Sequence, residues 1–192
     1  MAVLVSATAW ANNEVAYVAW TADGRLPGCL GFEVTRVVVH ADGRLERIKC
    51  AAWVPFDGQH NPDWLPQDTG VWPVQKFSWR DLTARKKRDG MKRRPDEVTL
   101  RYEIRALGKP RKGLERVPSN GLETAWIAVR DAQGQPVRDA QGKVQRIRGP
   151  AYQGKTRPLA YLGPAVVSNE VRITTRRGPF RSSFTNGILS AQ

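Results

Sequence analysis

Residues that could act in acid–base or metal chemistry are scarce and gather in one loop. The chain of 192 residues holds two histidines and two cysteines. The loop at 55–69 brings one histidine together with three carboxylates, namely Asp57, His60, Asp63 and Asp68. Such groups can bind metals, but their spacing matches no common metal-ligand pattern. We therefore interpret them as the polar surface of a loop, and the sequence predicts no metal site and no cofactor.

Motifs for nucleophilic catalysis and phosphate binding are missing from the sequence. It has no GxxxxGK[ST], no GxGxxG after a strand and no GxSxG. His40 and His60 both lie far from a cysteine along the chain. No catalytic residue is predicted, and we do not expect a stand-alone enzyme.

The strongest compositional signal is positive charge. Lys and Arg number 31 against 18 Asp and Glu, for a net charge of +13, which favours phosphate-rich partners such as nucleic acid. The densest run is residues 85–94, RKKRDGMKRR, and a second basic loop begins at 109. Either could contact phosphates, or the first could simply be a solvated tip that prevents aggregation. The candidate phosphate contacts are Arg85, Lys86, Lys87, Arg88, Lys92, Arg93, Arg94, Lys109, Arg111 and Lys112.

Four tryptophans surround the loop at 55–69: Trp53, Trp64, Trp72 and Trp79. A base can stack on an indole, and each such contact is worth about 1–3 kcal/mol. Tryptophan is also a common core residue of β-sandwiches. Because these residues do not repeat on one face of an element, we favour a packing role for them over ligand binding.

The segment at 97–107, EVTLRYEIRAL, predicts the central strand of the fold. Its apolar residues alternate with polar ones, as in a strand with one buried face. Residues 71–81 are predicted to be its partner strand, and the basic run 85–94 would then be the tip between them. The Asp89-Gly90 pair would supply the turn.

Further β-rich runs predict an all-β fold. Asn12 and Asn13 separate two short strands, and the turn at Asp42-Gly43 joins a hairpin. The sequence VRDAQG occurs at 129–134 and again at 137–142, which we interpret as expansion of an exposed loop. The runs predicted as strands are 2–7, 15–20, 32–40, 45–54, 122–130 and 166–175.

The expected organisation is one domain over 1–180 and a tail or linker over 181–192. Its long irregular loops would be 55–69, 83–96, 108–121 and 131–163. Cys29 and Cys50 are expected to be reduced thiols. No charged start resembling a signal peptide and no apolar run of about 20 residues is present, so we expect a cytoplasmic protein without a membrane span.

Two pairs of segments resemble known families. The Tyr102 strand at 98–106 and the later run at 163–175, GPAVVSNEVRITT, resemble the tyrosine strand and the final strand of fibronectin type III domains. The segments at 72–82, WPVQKFSWRDL, and at 184–192, FTNGILSAQ, resemble the amino-terminal β-sandwich of bacterial phospholipase D-like proteins. The resemblance implies a fibronectin III or immunoglobulin-like antiparallel β-sandwich.

The same resemblance implies a non-catalytic accessory domain. The family's chemistry rests on two His-x-Lys-x4-Asp motifs, and neither His40 nor His60 has Lys two positions later. The implied partner is therefore a phospholipase D-like catalytic domain, in cis or in trans, on which this domain packs or to which it guides substrate. Two alternatives remain: a free-standing nucleic-acid-binding module, and a protein-interaction adaptor that uses an open sheet edge.

Overall fold

A computed structural model describes residues 2–85, 97–118 and 121–181 of the protein. These residues form fifteen strands and no α-helix, so nothing in the described part of the chain is a helix that could cross a membrane. In chain order the strands are β1 (Leu4–Ala11), β2 (Ala16–Ala22), β3 (Cys29–Val39), β4 (Leu45–Lys49), β5 (Ala51–Ala52), β6 (Gln67–Asp68), β7 (Ser78–Asp81), β8 (Glu97–Gly108), β9 (Thr124–Ala128), β10 (Arg146–Pro150), β11 (Ala160–Tyr161), β12 (Val166–Val167), β13 (Val171–Thr174), β14 (Arg176–Arg177) and β15 (Phe180–Arg181).

The largest sheet is organised around β8, as the alternation predicts. Strand β8 pairs antiparallel with β3 along one edge and with β11, β12 and β13 along the other, while β4 extends the sheet beyond β3. Its inward side chains are all buried: Val98, Leu100, Tyr102, Ile104 and Ala106. The prediction of a long inner strand is confirmed.

A second sheet, in the order β1-β2-β7, covers the first. Val18 and Trp20 from this sheet share one hydrophobic core with Val34, Leu100 and Ile173 from the larger sheet. All five are at most 3% exposed, so the two sheets enclose a buried apolar core, as in a β-sandwich. The all-β prediction is confirmed, whereas the fibronectin III or immunoglobulin type stays a prediction.

The predicted pairing of residues 71–81 with β8 is wrong. Only Ser78–Asp81 of that segment forms a strand, β7, and it pairs with β2 in the smaller sheet. The partner of β8 is β3 instead. The basic run therefore lies between strands of different sheets and does not join two neighbours. Local alternation cannot distinguish these arrangements, because either sheet buries one face of the segment.

The predicted loops also contain short strands. Residues 131–163 include β10 and β11, and residues 55–69 include β6, which pairs with β5. Short strands therefore interrupt both of the predicted loops. Strands this short, one of them ending in Gly149 and Pro150, carry no alternation signal.

A buried polar network ties the two sheets together. Arg36 on β3 donates from Nη1 to Asp81 Oδ2 on β7 at 2.9 Å, and Tyr102 on β8 donates its hydroxyl to the same oxygen at 3.0 Å. Thr83 donates from its backbone N–H and its hydroxyl to the other carboxylate oxygen. Burial, reinforced by Asp81, raises the pKa of Tyr102 far above its usual value, so the phenol is a neutral donor.

A second, smaller core fixes the long loops against the larger sheet. It contains Phe56, Trp72, Leu107, Leu159 and Tyr161. The ring centroids of Trp72 and Tyr152 lie 4.6 Å apart. The indole N–H of Trp72 donates to Gln59 Oε1 at 3.2 Å. The packing role expected for the four tryptophans is thus correct for Trp72, which is 1% exposed.

Candidate functional site: a tryptophan-lined groove

The described residues form a groove of about 730 Å³, which we call the tryptophan groove. Three segments that are distant in sequence form its walls: 52–66, 72–79, and the region of 126–146. It is lined by five of the chain's seven tryptophans, namely Trp53, Trp64, Trp72, Trp79 and Trp126. Grooves with apolar aromatic walls and a few polar groups are the usual form of ligand sites.

The first wall is a loop fastened by the side chain of Asn61. Its Nδ2 donates to the carbonyl oxygens of Trp53, at 3.1 Å, and Leu65, at 2.9 Å. Its Oδ1 accepts the N–H of Leu65 at 2.9 Å. Trp53 and Trp64 therefore belong to one closed turn, which fixes their backbones relative to each other.

Trp64 combines exposure with an unfavourable backbone conformation. Its side chain is 61% exposed, and its φ of 50° makes it the one described non-glycine residue with positive φ. The left-handed region costs an L-residue about 1–2 kcal/mol, and an exposed indole gains little burial in return. Such local strain tends to occur at binding sites.

The second wall is the segment from Trp72 to Trp79. It is fixed to the larger sheet where Val74 exchanges two backbone hydrogen bonds with Phe32, both 2.9 Å long. Beyond this anchor Gln75 and Lys76 are exposed, and Trp79 on β7 is partly buried. This wall thus contributes both an indole and an ammonium group to the groove lining.

The third wall belongs to residues 124–150, which we call the turn module. Its stem is the hairpin of β9 and β10. The duplicated hexapeptides form two equivalent turns beyond that stem. Asp131 Oδ1 accepts the N–H groups of Gln133 and Gln135 at 3.0 and 2.8 Å. Asp139 Oδ1 accepts those of the residues at 141 and 143 at 3.0 and 2.8 Å.

The stem and the two turns meet in a closed three-way junction. Val137 N–H donates to Val129 O at 2.8 Å, Gln145 N–H to Val137 O at 2.9 Å, and Val129 N–H to Gln145 O at 3.0 Å. Each segment of this ring is followed by an arginine, and we call Arg130, Arg138 and Arg146 the arginine triad. The duplication is therefore a regular structural unit as well as an expanded loop.

The groove has a cationic rim. Lys76, Arg130 and Arg146 line it and are exposed, whereas Asp63 is the single carboxylate among the lining residues. In addition, the buried indole N–H of Trp126 finds no acceptor among the described residues. The groove can therefore offer flat aromatic faces beside positive charges.

None of the predicted phosphate contacts among the described residues lines this groove. Arg85 is buried, and its guanidinium lies 2.7 Å from Glu14 Oε1 in an ion pair that removes it from the exposed candidates. Lys109, Arg111 and Lys112 are exposed, and they share no position with the groove lining. The remaining candidates lie outside the described residues: Lys86, Lys87, Arg88, Lys92, Arg93 and Arg94.

Sequence reasoning missed Trp126, Lys76 and the arginine triad. A signal for the triad was present, because its members recur at eight-residue intervals and the first two start the duplicated turns. No comparable signal marks Trp126, which lies on β9 and joins the other tryptophans only in the tertiary structure.

The acidic loop does not form a metal centre in the part of the chain that is described. The sequence predicts Asp68 to lie on the surface of the loop. In the structure it is buried instead, with 2% of its surface exposed. Its Oδ1 accepts the N–H groups of Gly70 and Val71, and burial raises its pKa above the usual range. Its role is to close a turn.

Cys29 and Cys50 form no disulfide, and burial raises the pKa of both thiols.

The chain matches no protein-family model, no curated protein and no solved structure. The resemblance to phospholipase D-like proteins therefore stays a prediction.

Proposed function

We propose that this chain is a non-catalytic accessory module of a phospholipase D-like phosphodiesterase, and that the tryptophan groove receives the phosphodiester substrate. One observation carries the proposal: the segment with the resemblance, 72–82, builds a wall of the groove. Its groove-lining residues are Trp72, Pro73, Val74, Gln75, Lys76 and Trp79.

The composition of the groove supports binding in preference to catalysis. Its lining contains one carboxylate and no histidine, so it lacks a pair of groups for acid–base chemistry. Its cations can attract phosphates, and its indoles can hold flat apolar groups. Such a surface can guide a substrate to a catalytic centre that another part of the assembly supplies.

The test is purification of the tagged chain from its own cells, followed by intact mass and sequencing of what co-purifies. We expect two His-x-Lys-x4-Asp motifs, either on the same polypeptide or on a partner. The assembly should hydrolyse a phosphodiester, and Trp64→Ala should raise KM without changing kcat, because it removes binding shared by ground and transition states. Absence of any phosphodiesterase from the purified material would refute the accessory role.

A second candidate is a free-standing nucleic-acid-binding module, favoured by the net charge of +13. It differs from the first in needing no phosphodiesterase.

The adaptor alternative is less favoured at one edge, because Asn169 occupies the outer edge of β1. Its side chain accepts the N–H of Ala9 at 2.8 Å and donates to the carbonyl of Ala9 at 3.1 Å, where an added strand would pair.

A further inference from the structure

We propose that the tryptophan groove binds single-stranded nucleic acid, with bases stacked on its indoles and phosphates held by the arginine triad. The inference rests on the proposed function in taking the groove as the substrate surface. It adds the class of substrate and the residues that hold it.

The indoles favour unpaired bases. Trp64 exposes most of its side chain, and Trp53, Trp79 and Trp126 are only partly buried. A base must present a free face to stack on an indole, and in a duplex the interior bases are already stacked on their neighbours. Stacking on side chains is therefore a mode of single-strand binding.

The register of the turn module places the triad on one face. Arg146 lies opposite Ala128, Arg130 opposite Pro136, and Arg138 opposite Val144. Opposed residues of antiparallel strands project to the same side, as do residues two apart in a strand. The three arginines therefore share the face that also carries Trp126.

The guanidinium groups of the triad are oriented by hydrogen bonds to backbone carbonyl oxygens. Arg130 Nη1 donates to Gly134 O at 2.5 Å, Arg138 Nη1 to Gly142 O at 2.8 Å, and Arg146 Nη1 to Trp126 O at 3.3 Å. Each guanidinium has five N–H donors, so several remain for a phosphate. None of the three forms an ion pair with a carboxylate of the described residues.

Charge complementarity identifies a polyanion as the occupant. Neutral sugars also stack on tryptophan, but they gain nothing from a rim of three cations and one carboxylate. Arg130 and Arg146 lie in the groove lining, and Arg138 extends the same positive face beyond it. A strand whose bases enter the groove would run its backbone along that face.

The experiment measures binding of a fluorescent oligothymidine of about 12 nucleotides, and of its RNA counterpart, to the purified chain by anisotropy over a range of salt concentrations. Each phosphate contact on a single strand contributes about 0.7 to the slope of log K against log salt. Replacing all three triad arginines by Gln should therefore reduce the slope by about 2. Trp64→Ala should weaken binding about 5- to 150-fold with little change of slope.

The matched control replaces Arg25, Arg116 and Lys155 by Gln. These three cations are exposed, lie outside the groove lining and carry the same charge as the triad, so both slope and affinity should stay close to those of the parent chain. Circular dichroism and thermal melting confirm that each variant is folded.

Equal losses from the two triple variants would overturn the inference, because they would indicate general attraction by net charge. Equal affinity for a duplex of the same length would also overturn it, as would tighter binding of a neutral oligosaccharide. The chain is tested without any phosphodiesterase, so its binding can succeed where the accessory role fails. Conversely, a phosphodiesterase partner found with a chain that binds no oligonucleotide would refute only the substrate class.

Discussion

The side-chain amide of Asn61 donates to the carbonyl oxygen of Trp53 at 3.1 Å, and so joins the two tryptophan-bearing ends of the first groove wall. The same side chain exchanges two hydrogen bonds with the backbone of Leu65, next to Trp64. One polar residue thus fixes the backbone at both tryptophans, although none of its described hydrogen bonds involves an indole ring.

Asn61→Ala should lower the free energy of unfolding by about 1–3 kcal/mol, because it removes three hydrogen bonds and leaves backbone groups without partners. It should also weaken ligand binding at the groove. Urea unfolding and oligonucleotide anisotropy measure the two effects. Asn61→Asp retains an acceptor for Leu65 N–H but places a carboxylate oxygen opposite two carbonyl oxygens, so a loss at least as large as that of the alanine variant is expected. Full stability in the alanine variant would contradict this role.

Trp64→Gly should leave stability unchanged or raise it by up to about 1 kcal/mol, while it reduces ligand binding. Glycine adopts positive φ without strain, and the exposed indole contributes little burial. Trp64→Ala is the matched variant, because it removes the indole and keeps the strain. A loss of more than about 1 kcal/mol in the glycine variant would show that the indole packs in the fold.

Asp81→Ala should destabilise the protein by about 3–5 kcal/mol, because it leaves the buried Arg36 guanidinium without its carboxylate. Tyr102→Phe removes only one hydrogen bond to the same carboxylate and should cost about 1 kcal/mol. Chemical denaturation of both variants gives the comparison. Similar small losses in the two would mean that the ion pair between the sheets contributes little.

Tyr161 should make stability depend on pH in the alkaline range. Burial, together with the charge of Glu33 and a 3.1 Å hydrogen bond to it, raises the pKa of Tyr161 to about 12, against about 10 for an unfolded tyrosine. The fold favours the neutral phenol, so this stabilisation is complete below pH 10 and is lost as the pH rises through 12.

Tyr161→Phe provides the control for that prediction. Its stability deficit relative to the parent chain should be constant below pH 10 and should shrink between about pH 10 and 12. Denaturant titrations at a series of pH values measure the difference, which cancels the contributions of other groups. Two curves that stay parallel over this range would rule out the proposed linkage.

Local patterns in the sequence determined the longer strands and some of the turns between them. The alternation at 97–107 specifies β8, and Asp42-Gly43 specifies the turn between β3 and β4, because both signals depend on residues within a few positions. The same patterns support an all-β fold. They also expose the duplicated hexapeptides, although not the junction that these turns form.

Only the tertiary structure decided which strands are neighbours and which tryptophans meet. Residues 78–81 could bury one face in either sheet, and in the structure they pair with β2. Trp53, Trp79 and Trp126 are far apart along the chain, and the tertiary fold brings them together in the lining of one groove. The basic run in the sequence likewise predicts that Arg85 is a solvated cation, but in the structure it is buried beside Glu14. Contacts between distant segments produce no periodic pattern in a sequence. Local patterns therefore do not predict the groove.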